Sequence, residues 1–78
     1  MEGNEIKLPY KLTQKQVDKL LKLADHYELK MRWRSGQSFF NALYELHPDI
    51  ANAVRATVYD TYHVSNKIEK CLDFISED

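Results

Sequence analysis

Apolar positions fall at helical spacing over most of the chain. Val17, Leu20, Leu21, Ala24 and Tyr27 recur at i, i+3, i+4, i+7 and i+10, which makes one apolar stripe on a helix over residues 14–28. Lys15, Lys19, Lys22 and His26 occupy the opposite face. The start is marked twice: Thr13 and Gln16 have capping-box spacing, and Leu12 and Val17 have the spacing of a hydrophobic staple. Upstream, residues 1–11 read as a loose lead-in, with Pro9 disfavouring a helical Leu8. A second stripe, Phe39, Ala42, Leu43 and Leu46, predicts a helix from Gly36 to His47 with Ser35 as its N-cap. Phe40 and Tyr44 lie on an aromatic flank of this helix. Pro48 ends it and opens a third helix that takes in Ile50, Ala53, Val54 and Thr57. The period breaks over residues 57–63, a loop. Ser65 then caps a last helix on which Val64, Ile68, Cys71, Leu72 and Ile75 share a face, and the acidic tail over residues 76–78 frays.

Between the first two helices the period changes. Leu29, Met31 and Trp33 alternate with Lys30, Arg32 and Arg34, the two-residue repeat of an extended segment. No second strand accompanies it, so it reads as an extended connector. The expected architecture is all-α, a small four-helix domain over residues 12–76 with a short extended segment between helices one and two.

The chain has 78 residues. A domain of this size buries only about 60% of its unfolded surface and is marginal alone, so a homodimer is the expected assembly. No apolar run approaches the ~20 residues of a membrane span, so no membrane partner is expected. A single cysteine, Cys71, and an N-terminus without a signal-peptide pattern point to a reducing cytoplasm. The net charge of −1 is unevenly spread. Residues 1–34 hold eight Lys/Arg against five Asp/Glu, and residues 35–78 hold three against seven. The basic half and the acidic half suit a partner of mixed charge, or each other.

Candidate chemistry is sparse. His26, His47 and His63 lack metal-ligand spacing. Cys71 lies on an apolar stripe, where a thiol is packing. The chain has two glycines, Gly3 and Gly36, and no phosphate loop. Neither an enzyme nor a cofactor is expected. Two binding surfaces remain. In the first, Lys15, Lys19, Lys22, Arg32 and Arg34 form a nucleic-acid patch, Trp33 stacks on a base, and the amides of residues 35–37 at a helix start receive phosphate. Its plainer alternative places Met31 and Trp33 in the core or in a dimer seam, with the cations facing outward. In the second, Phe40, Tyr44, Tyr59 and Tyr62 anchor a protein partner and Arg32 and Arg34 add charged contacts. Five tyrosines are more than so small a core hides, and Tyr and Arg are enriched at interface hot spots. The plainer alternative has Tyr59 and Tyr62 covering one end of the bundle.

Three stretches carry a resemblance: Arg34 to Leu43 (RSGQSFFNAL), His47 to Ala51 (HPDIA) and Tyr59 to Tyr62 (YDTY). Together they resemble a pattern of small phage-encoded accessory proteins, Arg-x-Gly-Gln, Asn-x-Leu, Pro, then Asp and an aromatic, covering residues 32–75. Thr61 stands where that pattern has Pro. The family includes vibriophage anti-BREX proteins, antagonists of a bacterial anti-phage defence. The resemblance implies an inhibitor at work in an infected bacterial host cell, bound stoichiometrically to a host defence protein, a large ATPase. The residues also have a structural reading, in which Gly36 permits close approach, Gln37 and Asn41 reach the connections, and Pro48 fixes a helix break.

Overall fold

The computed structural model describes residues 6–77. The first helix, α1, spans Gln14–Met31 and begins on the capping box. The Thr13 amide donates to Gln16 Oε1 at 2.9 Å and the Gln16 amide to Thr13 Oγ1 at 3.3 Å. Leu12 and Val17, the two halves of the staple, are both buried. Helix α2 spans Ser35–Leu46, α3 Pro48–Val54 with Pro48 in its first turn, and α4 Ile68–Ile75. A 3-10 turn over Ser65–Lys67 leads into α4. The architecture is all-α, with four helices and no sheet among the described residues.

The most extensive packing is between α1 and α2. The core takes Val17, Leu20 and Ala24 from α1 and Phe39, Phe40, Ala42 and Leu43 from α2. Ile50, Ala51 and Val54 from α3 and Cys71 and Ile75 from α4 complete it, together with Leu12. His47 joins two helices: its amide donates to the Leu43 carbonyl at 2.7 Å, and its carbonyl accepts from the Ala51 amide at 3.0 Å.

The connector differs from the sequence reading. Helix α1 continues through Leu29 and Lys30 to Met31. Arg32 then takes a left-handed conformation, φ 58° and ψ 32°, with its amide on the Glu28 carbonyl. Only residues 32–34 link the helices. The apolar alternation misled because it was not a burial pattern: Leu29 is 83% exposed and Met31 48% exposed. Met31 therefore plugs no core. Trp33 is half-buried, its ring edge-on to Tyr27 at 5.4 Å.

Both ends of the domain are tied together. The Leu12 amide donates to the Ile75 carbonyl at 2.7 Å, and the Glu77 amide donates back to the Leu12 carbonyl at 2.8 Å. The tail is thus bonded at residues 76–77 rather than frayed, because Leu12 is buried and its polar groups need partners. Residues 6–11 form no helix, but Leu8 packs on the core and the Tyr10 hydroxyl lies 2.9 Å from His47 Nδ1. Burial, and Lys19 after it, hold His47 below its ordinary value. The expected lead-in over residues 1–5 lies outside the described residues.

Smaller differences have similar causes. Helix α3 stops at Val54, and Ala51 rather than Ala53 completes its buried face. Ser65 does not cap α4. Its hydroxyl serves α2 instead.

Candidate functional site

The site is built on the segment between α3 and the 3-10 turn. Ala56, at φ 61°, reverses the chain after α3. Asp60 then holds the loop: Oδ2 accepts from the Ala56 amide at 2.7 Å and Oδ1 from the Tyr62 amide at 2.9 Å. Thr57 adds a second clamp, its hydroxyl donating to the Val54 carbonyl at 2.6 Å and accepting from the Tyr59 amide at 3.1 Å. These local side-chain to backbone bonds set the path of the loop from Val54 to Tyr62.

The loop closes over the start of α2. The Gly36 amide donates to Ser65 Oγ at 2.8 Å, and the buried Thr61 hydroxyl donates to the Gly36 carbonyl at 2.9 Å. A Cβ at position 36 would collide with the Thr61 carbonyl and lie 3.0 Å from Ser65 Cα. Gly36 is therefore a close-approach glycine. The Thr61 hydroxyl thus ties the loop to α2.

On this frame Tyr62 is fixed from several sides. Its ring meets Phe40 at 6.0 Å and His63 at 4.9 Å, both edge-on. Its hydroxyl accepts from Gln37 Nε2 at 3.3 Å, and its carbonyl accepts from an Arg34 Nη at 3.3 Å. Beside it, Arg55 lies 6.0 Å from the Phe40 ring centre and 5.7 Å from that of Tyr44. Phe40, Asn41, Tyr44, Arg55, Asp60, Tyr62 and His63 line a groove of about 430 Å³.

Four of the six anchors expected from the sequence meet here. Tyr44 is 46% exposed and offers a face to solvent. Tyr62 forms one wall and Arg34 holds its backbone. Phe40 is present as a support, since at 5% exposure it belongs to the core. Tyr59 is elsewhere, stacked flat on Phe74 at 4.1 Å with Lys70 5.8 Å above it. Arg32 lines a separate concavity with Glu28, Leu29, Trp33, Arg34 and Ser35. Arg55 and His63 also line the groove and were missed. Arg55 had one sequence signal, as the lone cation between Arg34 and Lys67.

The basic alternative meets a different geometry. Lys15, Lys19 and Lys22 are exposed along one face of α1. With 1.5 Å of rise per residue, Arg32 lies roughly 25 Å from Lys15 along that axis. The Gly36 amide is occupied by Ser65, Arg34 is turned to Tyr62, and Trp33 packs on Tyr27. Of the three amides expected to receive phosphate at the start of α2, that of Gly36 is thus taken by the chain's own loop.

Among the described residues no three His, Cys, Asp or Glu side chains gather into a metal-binding group. No described helix is long and apolar enough to cross a membrane. Cys71 is buried, and desolvation, with Asp60 second, pushes its thiol up to about 12. No protein-family model, curated protein or solved structure matches this chain.

Proposed function

We propose that this chain is a stoichiometric protein-binding module that docks a partner on the groove of Tyr44, Arg55, Tyr62 and His63. The observation that carries the reading is the arrangement of Tyr44 and Arg55. An exposed tyrosine and a cation stacked on it stand on a loop and helix whose backbone bonds are already satisfied. Preformed aromatic and guanidinium groups lose little freedom on binding, which is why such residues dominate hot spots. On the resemblance of residues 32–75, the partner is a component of a bacterial anti-phage defence, and the chain acts by occupying its surface in the infected cell. Binding of this kind needs no turnover and no cofactor.

A nucleic-acid regulator using Lys15, Lys19, Lys22, Arg32 and Arg34 is the second reading. The exposed lysine row on α1 favours it. The two part on salt. Phosphate contacts weaken with a log–log slope of about −0.9 per phosphate on duplex DNA, whereas a stacked aromatic interface is far less sensitive. Capture from nuclease-treated host lysate, repeated at moderate and high salt, tests the reading. One protein retained under both conditions is expected. Loss of every partner on nuclease treatment contradicts the proposal and favours the lysine row.

A further inference from the structure

Arg55 gives the groove a chemical preference, an inference that rests on the protein-binding reading above. The residue is exposed at the C-terminal end of α3. Two rings, Phe40 and Tyr44, hold its guanidinium from one side. Among the described residues no hydrogen bond ties that guanidinium to another group, whereas Arg34 donates to the Tyr62 carbonyl. The N–H fork of Arg55 is therefore open to a ligand.

The carboxylate that lines the same groove does not answer it. Asp60 accepts backbone amides on both oxygens, from Ala56 and from Tyr62. Those bonds hold the loop and set Asp60 to structural work. The Tyr62 hydroxyl already accepts from Gln37. The groove thus presents unanswered donors beside aromatic faces. A planar guanidinium matches a carboxylate through two parallel N–H···O bonds, and stacking on aromatic rings orients it for that contact. A base would find less to hold: the Tyr62 ring is already fixed edge-on by Phe40 and His63.

We infer that the groove takes an acidic segment of the partner protein, with a Glu or Asp carboxylate on Arg55 and an adjacent aliphatic side chain against Tyr44 and Tyr62. Arg55 is the specificity-determining residue of the surface, and Tyr44 supplies its apolar area.

The test titrates the full 15N-labelled chain with acetyl-Leu-Glu-Glu-Leu-amide, with its Gln-Gln counterpart, and with a short oligothymidylate. Saturable shifts at the Arg55 Nε–H and at the amides of Tyr44 and Tyr62 are expected with the Glu peptide. The Gln peptide and the R55Q variant should each bind about tenfold more weakly, with R55K between. Because Arg55 is exposed, amide shifts distant from the groove report that R55Q remains folded. Equal affinity for the Glu and Gln peptides, wild-type affinity in R55Q, or no saturable shift would overturn the inference. Tighter oligothymidylate binding at the same amides would overturn it too, assigning the donors to phosphate. Should Tyr44→Ala abolish capture of a host protein while R55Q does not, the groove stands as a docking surface and only the carboxylate preference fails.

Discussion

At the scale of single residues, Gly36 is the most constrained position. Its carbonyl and amide are both engaged by the loop that covers it. Gly36→Ala should destabilise the fold by about 1–3 kcal/mol, the usual cost of forced overpacking, read as a lower urea midpoint. Ser65→Ala, which removes only the hydroxyl from the Gly36 amide, should cost about 1 kcal/mol. Ser38 makes an opposite case. Its hydroxyl is buried on α2 without a hydrogen-bond partner among the described residues. Ser38→Ala should leave stability unchanged or raise it by up to about 1 kcal/mol, since it removes a desolvated hydroxyl and improves helix propensity. Cys71 predicts a pH effect. Its thiol is raised from an ordinary 9.0 to about 12 by burial, with Asp60 second. The protonated form therefore belongs to the folded state, and its stabilisation is complete below pH 9 and lost as pH rises toward 12. Urea midpoints should fall over that range in the wild type and fall less in Cys71→Ala.

The elements were legible where backbone chemistry leaves a mark in side chains. Thr13 with Gln16 and Leu12 with Val17 fixed the start of α1, and Pro48 fixed the break between α2 and α3. The end of α1 was not legible, because the stop lies on Arg32 in a left-handed conformation that glycine ordinarily supplies. Leu29 and Met31 extended the error, since apolar residues at the edge of a small core need not be covered. The candidate site was legible in part for the same reason. Phe40, Tyr44 and Tyr62 stand out by type, but Arg55 reaches them from the end of α3, and His63 through a loop folded by Asp60 and Thr57. Tyr59 shares that loop and faces Phe74 instead. At this scale the clasp between Leu12 and residues 75–77 makes its own prediction. The Leu12 and Glu77 amides should exchange with deuterium more slowly than that of Lys11, and deleting residues 76–78, which removes the Glu77 half of the clasp but keeps the Ile75 carbonyl, should weaken the protection at Leu12 without abolishing it.

For the molecule as a whole, the exposed Leu29 and Met31 lie at the C-terminal end of α1, while the groove lies on α2 and the loop. A homodimer seam at that end would cover the apolar pair and leave the groove open. Light scattering should then return twice the 9.2 kDa chain mass, and Leu29→Asp should return it once, with Tyr44 surface exposure unchanged in both. In the proposed function the groove, rather than the lysine row, holds the partner. Side-by-side capture from one nuclease-treated host lysate tests it most directly, using the wild type, Tyr44→Ala and a variant with Lys15, Lys19 and Lys22 all changed to Ala. A host protein held by the wild type and the lysine variant and lost with Tyr44→Ala is expected. Retention by Tyr44→Ala together with loss in the lysine variant would contradict it.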